Sequence, residues 1–396
     1  MSTPTDPSIE TIAIVGAGLA GVHAAEELRA RGYQRRLLLI GAEPHLPYDR
    51  PPLSKEVMLG KKTLDDTELH PEQWYADREI QVLTDHRITA LDLAGRRLRA
   101  GEESFDYDRL LLACGSRARR LAGIKVPGVD VRHLRTREDA LGLKERLGGR
   151  LLIIGGGWIG LELAAAARTA GGEVVLVETA SRPLAGVLGP QVAEVFADLH
   201  RSHGVDLRTG TTVETVERAG ERAEARFSDG SEVLVDTVVV AIGAEPETTV
   251  AEAAGLRCSG GIDVDAALRT SDPFVFAAGD VANHDHLSLG RLRVEHWDNA
   301  IAQGKHVAGS LLGEVDPYTA QPYFFTDQYD LGMEYVGHVG AAGHDAVHVR
   351  GDLASRVFTA YWTRGDRVVA GMHAGDWDAI TQIRELVGGP ASALPA

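Results

Sequence analysis

The chain has 396 residues, 44% of them hydrophobic and 25% charged, and a formal charge of −16 at pH 7. That length supports two or three domains with separate cores, and the composition is that of an ordinary globular protein. The negative balance weighs against nucleic acid or an anionic membrane as partner. Residues 1–11 lack a basic start and an apolar stretch of signal-peptide length, and no run reaches the roughly 18 apolar residues of a membrane span, so a cytoplasmic location is expected. The two cysteines, Cys114 and Cys258, are far apart and in no metal-ligand spacing. They are expected to be reduced core thiols, with no zinc or iron–sulfur site and no other metal.

In chain order, the first apolar run, Thr11-Ile12-Ala13-Ile14-Val15, leads into Gly16-Ala17-Gly18-Leu19-Ala20-Gly21 and a helix-like segment. The next run, residues 37–40, ends near Glu43, and a strand at residues 110–113 stops at Gly115. The pattern then repeats. Residues 151–154 lead into Gly155-Gly156-Gly157-Trp158-Ile159-Gly160, residues 174–177 end on Glu178, and residues 238–242 stop at Gly243. One GxGxxG is weak evidence, since such loops also close ordinary strand-to-helix turns. Two, each followed about 20 residues on by an acid placed to accept from ribose hydroxyls, point to two dinucleotide sites in one chain. A pyrophosphate must come close to the first turn of the helix, and a Cβ at Gly16, Gly18, Gly21 or at Gly155, Gly157, Gly160 is expected to obstruct it.

A further strand through Val275 and Phe276 ends in Ala278-Gly279-Asp280, and a helix is predicted from about Asn299 to Leu312. After Gly313, alternating runs at 334–339, 346–350, 356–362 and 368–372 predict a small antiparallel sheet, followed by a helix at 377–387. The tail from Gly388 is expected to be loose.

The segment His45-Leu46-Pro47-Tyr48-Asp49-Arg50-Pro51-Pro52-Leu53-Ser54-Lys55 carries a family likeness. With Ala113-Cys114-Gly115-Ser116, Gly160-Leu161-Glu162, Ala241-Ile242-Gly243 and Ala278-Gly279-Asp280, it resembles the FAD-dependent, NADH-using ferredoxin reductases of bacterial oxygenase systems. These are a branch of the pyridine nucleotide-disulfide oxidoreductase superfamily, and the likeness runs from about Ile12 to Leu386. It implies an α/β fold with two Rossmann-like dinucleotide-binding domains, glutathione-reductase-like, plus a small α+β C-terminal domain. The implied division is an FAD-binding domain of residues 1–115 and 244–315, an NAD-binding domain of 116–243, and a C-terminal domain of 316–396.

The same resemblance implies FAD at the first glycine motif and NAD(H) at the second. Asp280 and Gly279 would meet the ribityl chain, and the dipole of the following helix would favour negative charge at the flavin N1/C2 edge. Lys55 and Glu162 are implied as an ion pair beside the reactive N5, the pairing leaving no uncompensated buried charge. The plainer alternative is that Lys55 ties its loop to the core. Trp297 is implied against the flavin edge, or else is a core tryptophan, and Ala20, Ile88, Gly115 and Arg135 are implied FAD contacts. Two positions depart from the family. Ala42 leaves Glu43 alone where relatives often have paired acids, so adenosine binding is left among Glu43, Arg50 and Lys55. Cys114 stands where threonine is usual. At the second site Glu178 favours NADH by accepting from both ribose hydroxyls and repelling a 2′-phosphate, whereas Arg182 could reach such a phosphate. Gly155, Gly157, Ile159, Gly160 and Gly243 complete the expected NAD site.

Related flavoproteins that reduce disulfides carry cysteines after the second strand or in the NAD unit, but residues 44–54 and 155–180 here have none. Electrons are therefore expected to pass by hydride transfer from NADH to flavin N5, and then singly to a docked ferredoxin, of [2Fe-2S] type, that serves an oxygenase. Arg291, Arg293 and Lys305 are candidates for docking that acidic partner. The same features permit rubredoxin, quinone or dioxygen as acceptor. A different class is an NADH-responsive flavoprotein sensor.

Overall fold

A computed structural model describes residues 8–124, 126–340 and 343–395, which fall into two compact units. The first comprises the described parts of Met1–Asp49, Thr67–Arg117 and Glu245–Pro322; the second comprises those of Arg50–Asp66, Ala118–Ala244 and Tyr323–Ala396.

The first unit is built on a five-stranded parallel sheet in the order Val275–Ala277, Arg109–Leu112, Thr11–Val15, Arg36–Ile40, Ile80–Leu83. Ile12, Ala13, Ile14 and Leu37, Leu38, Leu39 are all buried, because strands of a parallel sheet are covered on both faces and so read as unbroken apolar runs. Helices Leu19–Ala30 and Trp297–Leu311 pack together, and a Cβ on Gly304 would fall 2.5 Å from the Ala20 carbonyl oxygen. The second of these starts two residues before its expected start, because His296 is still extended and Trp297 already helical. Two three-stranded sheets complete the unit: Ala90–Asp92 with Arg97–Ala100 and Glu103–Asp106, and Ile262–Val264 with Ala282–His286 and Gly290–Arg293.

The second unit holds an equivalent parallel sheet in the order Asp206–Thr209, Glu173–Glu178, Arg150–Ile154, Thr237–Val240, Val131–Arg132. Beside it in the chain lies the antiparallel set Val213–Ala219, Arg222–Phe227, Glu232–Val235. Residues from Tyr323 onward form a five-stranded antiparallel sheet in the order Tyr323–Gln328, Leu331–Gly337, Arg367–Ala374, Val357–Arg364, Ala346–Asp352. Helix Ile380–Leu386 closes it, with Ile383 packed among Val336, Tyr361, Val368 and Val387. This is the expected α/β architecture with its C-terminal antiparallel layer.

Two details differ from expectation. The edge strand Tyr323–Gln328 is not foreseen from the sequence, because its Tyr-Phe-Phe run breaks the alternation that marks the other four. The tail from Gly388 is tied down: the Gly388 amide donates to the Val368 carbonyl (2.8 Å), the Val368 amide to Gly389 (3.0 Å), and the Ala391 amide to Asp366 (3.0 Å). Within the same unit the helical span Ala185–Ser202 is broken at Gly189 (φ +73) ahead of Pro190, and the Leu188 carbonyl accepts instead from buried Trp362 Nε1 at 3.2 Å. No helix among the described residues is long and apolar enough to cross a membrane.

Candidate functional site

The two glycine loops repeat one geometry. Gly16 (φ +113) follows strand Thr11–Val15 and Gly155 (φ +108) follows strand Arg150–Ile154, and each amide donates across to the neighbouring strand, Gly16 to Ile40 and Gly155 to Val177, both at 2.8 Å. A Cβ would fall 2.1 Å from the Ala113 oxygen at Gly16 and 2.4 Å from the Ala241 oxygen at Gly155. At Gly21 it would fall 2.0 Å from the Gly16 oxygen, and at Gly160 2.1 Å from the Gly155 oxygen. At these four positions the chain packs against itself, which by itself requires glycine. Gly18 and Gly157 differ: a Cβ at either would have no protein atom within 4 Å, and each is the N-cap of its helix with no side chain accepting from the first-turn amides. Leu19–Ala30 and Trp158–Thr169 thus both present amides and a positive dipole end beside open space, which suits the pyrophosphate of a dinucleotide.

The two acids are not equivalent. Ile40 pairs with Val15 and Val177 with Ile154, so the register partner of Glu178 in the first sheet is Gly41, two residues before Glu43. Glu178 braces its own loop, Oε2 accepting from the Gly156 amide (2.8 Å) and Oε1 from the Ala180 amide (2.8 Å) and Thr179 hydroxyl (3.1 Å). Glu43 accepts instead from the Tyr48 hydroxyl at 2.5 Å. Arg182 is ion-paired with Glu194, whose other oxygen takes Arg201 at 2.8 Å. These hydrogen bonds hold the Glu194 carboxyl below its ordinary range. Gly243 (φ +96) follows strand Thr237–Val240 with open space around it, and Ile159 is half-exposed.

In the first unit, Gly279 (φ +78) donates its amide to Gln303 Oε1 at 2.8 Å, and Asp280 accepts from Ser116 Oγ at 2.8 Å, just past the turn at Gly115 (φ +69). Ala20 lies between Gly279 and Gly304, so its small size is a packing requirement. Ile88 belongs to the apolar core. Trp297, 37% exposed, donates Nε1 to Asp49 at 2.9 Å, so it is not a core tryptophan. In the second unit, Arg50 donates to the Arg135 carbonyl at 2.5 Å, next to the capping box of Thr136 and Asp139.

The second unit also brings Lys55 and Glu162 together, Nζ to Oε1 at 3.0 Å, with Glu162 only 5% exposed. The same carboxylate accepts from Ser54 Oγ on Oε2 (2.5 Å) and from Thr326 Oγ1 on Oε1 (2.7 Å). A buried ion pair left short of hydrogen bonds is costly, and these two hydroxyls complete it. The lysine ammonium sits 5.6 Å from the centre of the Phe325 ring and keeps donors beyond the one given to Glu162. Ser54 adjoins Lys55 in the quoted motif. Thr326 escapes sequence reasoning because it lies on the unforeseen edge strand.

Of the docking candidates, Arg293 pairs with Glu295 and Arg291 faces Asp263 at 3.7 Å and Asp285 at 3.9 Å, so their charge is locally balanced; Lys305 is exposed. Burial pushes the thiols up, to about 12 at Cys114 and about 11 at Cys258, and both are unpaired. Among the described residues no three ligating side chains are grouped as a metal site.

Residues 10–304 match the pyridine nucleotide-disulphide oxidoreductase family, and residues 323–396 match the reductase C-terminal domain. The chain is 38% identical over 371 residues to putidaredoxin reductase of Pseudomonas putida, covering 91% of this chain and 87% of that protein. It is 38% identical over 394 residues to the anthranilate 1,2-dioxygenase system ferredoxin–NAD(+) reductase component of Burkholderia cepacia, covering 98% and 96%. The reductase in the crystal structure of the covalent putidaredoxin reductase–putidaredoxin complex superposes with a TM-score of 0.91 at 36% identity, over 96% of this chain and 93% of that one. With its paired glycine loops and C-terminal sheet, the chain belongs to the pyridine nucleotide-disulphide oxidoreductase family, in the branch of the ferredoxin reductases.

Proposed function

We propose that the protein is an NADH-dependent, FAD-containing reductase that passes electrons to a small iron–sulfur ferredoxin serving an oxygenase. The observation that carries this reading is a pair of uncapped, glycine-lined helix starts in a chain whose only two thiols have pKa values near 12 and 11. Such thiols are almost wholly protonated near neutral pH and cannot relay electrons to a disulfide. The names of the relatives, a putidaredoxin reductase and the ferredoxin–NAD(+) reductase component of an anthranilate 1,2-dioxygenase system, point the same way.

We assign FAD to residues 1–115 and 244–315, NAD(H) to 116–243, and a supporting role to 316–396. Bound FAD would take two electrons from NADH at N5 and release them singly. Gly18 would open the Leu19–Ala30 helix start to the FAD pyrophosphate while Gly16 and Gly21 make the turn that presents it, and Gly157, with Gly155 and Gly160 making the turn, would serve NAD(H) in the same way. Glu43 would accept from the FAD ribose, and Asp280, oriented by Ser116, from the ribityl hydroxyls. Ala20, Ile88, Gly115, Gly279, Arg50 and Arg135 would shape the FAD site. Glu178 would take the NADH ribose with the acceptor capacity its loop leaves over, while the Glu194 pairing withholds Arg182 from a 2′-phosphate. Ile159 and Gly243 would flank the nicotinamide end.

Lys55 would donate from Nζ toward the flavin N5 while Glu162 holds its charge, and Trp297, fixed by Asp49, would screen the flavin edge from water. Docking of the acidic partner would rest mainly on Lys305. Two unpaired thiols fit a reducing compartment, and we place the protein in the cytoplasm.

Anaerobic NADH oxidation with a panel of [2Fe-2S] ferredoxins coupled to cytochrome c tests the reading. Ferredoxin-dependent turnover of about tens per second is expected with NADH and much less with NADPH. Rapid ferricyanide reduction without any ferredoxin rate would overturn the partner assignment in favour of rubredoxin, a quinone or dioxygen. Slow turnover with every acceptor would favour an NADH-responsive sensor.

A further inference from the structure

Behind the Lys55–Glu162 pair lies a line of buried polar side chains. Thr326 donates Oγ1 to Glu162 Oε1 at 2.7 Å, Gln328 Nε2 reaches Thr326 Oγ1 at 3.2 Å, and His200 Nε2 reaches Gln328 Oε1 at 2.9 Å. Thr326 and Gln328 are 1% exposed and His200 fully buried. The line joins helix Trp158–Thr169, the edge strand Tyr323–Gln328 and the span Ala185–Ser202, all within the second unit.

Its polarity follows from hydrogen-bond chemistry. An ionised carboxylate can only accept, so Thr326 must spend its one hydroxyl hydrogen on Glu162 and accept from Gln328. Gln328 must then turn its amide NH2 to Thr326 and its carbonyl to His200, which must present Nε2–H. Burial pushes the His200 pKa down to about 4, so the ring is neutral near pH 7, and the polarity of the line then assigns its single proton to Nε2. All three hydrogen bonds point toward Glu162, and in a low-dielectric interior such aligned bonds strengthen one another. Thr326 and Lys55 meet the same oxygen of Glu162, so the line bears directly on how the lysine is held.

We propose that Thr326, Gln328 and His200 are positioning residues for Lys55: they fix the Glu162 carboxylate, and through it the lysine donor aimed at the flavin. The proposal rests on the reading that the Lys55–Glu162 pair works beside the flavin. None of the three touches the reacting atoms.

The test compares Thr326→Val, nearly isosteric but without the hydroxyl, with Thr326→Ser, which restores it, in the FAD-loaded protein. Flavin reduction by NADH in single-turnover stopped flow should slow about tenfold in Thr326→Val with the Kd for NADH unchanged, and the flavin midpoint potential should shift. Thr326→Ser should return both to within about twofold of wild type. An unchanged rate and potential in Thr326→Val, or equal losses in both variants, would overturn the proposal. A readout independent of turnover is the His200 tautomer, seen by nitrogen-15 NMR of histidine-labelled protein. Wild type should show Nε2–H, and Glu162→Gln, whose amide can donate, should release that constraint and change the spectrum; an Nδ1–H tautomer in wild type would contradict the line. Lys55→Met separates the two levels. If it reduces at the wild-type rate the reading of the pair itself fails, whereas if only Thr326→Val is silent the positioning line alone fails.

Discussion

The two glycine loops share a backbone and differ in what faces it. In the first, Gly41 faces Ala17, and a Cβ on Gly41 would come within 2.9 Å of the alanine methyl. In the second, Gly156 faces Glu178 and Pro183, and its own Cβ would meet them at about 3 Å. Small meets small in one loop, and glycine meets a carboxylate in the other. The glycines at the first and last motif positions therefore make the turn, the middle one opens the helix start, and the acid beyond the second strand distinguishes the two sites. Glu178 is tied to the glycine loop through the Gly156 amide and to the turn that follows it through Thr179 and Ala180, whereas Glu43 stands two residues further out and accepts from Tyr48.

The largest effect should come from breaking the turn. Gly16→Ala and Gly155→Ala each drive a Cβ into a carbonyl at a positive φ, at a cost on the order of 3 kcal/mol or more. Gly16→Ala should abolish retention of FAD and lower the thermal midpoint; a fully loaded Gly16→Ala protein would refute the packing argument.

Next is Lys55→Met, expected to slow flavin reduction by roughly fiftyfold while FAD content stays near wild type, as seen by stopped flow and by absorbance of the purified protein. Gly18→Ala and Gly157→Ala meet no protein atom and should fold normally. The first should weaken FAD binding and the second NADH binding, each about tenfold, measured by titration. Loss of both ligands in either variant would mean that the loops are not independent sites.

The smallest effect concerns Arg182. Glu194→Gln should release it from a half-exposed pair and tighten binding of 2′,5′-ADP about threefold, by calorimetry, an increase that a second change, Arg182→Ala, should cancel.

The comparison also marks how far the residues speak before folding. Parallel strands such as Ile12 to Val15 and Leu151 to Ile154 are legible because burial on both faces leaves an apolar run, and the doubled loops because glycine recurs in both at the first and last motif positions, where the turn admits no Cβ. The reason for each glycine is not legible, since it depends on carbonyls of Ala113 and Ala241 far along the chain. Lys55 and Glu162 are paired through family likeness alone. Ser54 lies in the motif that carries the likeness, but nothing there points to Glu162, and Thr326 gives no signal of its own, because a hydroxyl beside a charged residue looks like any surface residue until the fold buries it. The tail at Gly388 looks loose in sequence because its ties are backbone hydrogen bonds, which composition does not reveal.

The central claim, that NADH electrons leave this protein singly to an iron–sulfur partner, is tested most directly by anaerobic mixing of the FAD-loaded protein with limiting NADH and oxidised [2Fe-2S] ferredoxin. The account predicts two ferredoxin molecules reduced per NADH consumed, with the flavin absorbance returning as the cluster absorbance falls. A ferredoxin that stays oxidised while NADH bleaches the flavin would contradict it.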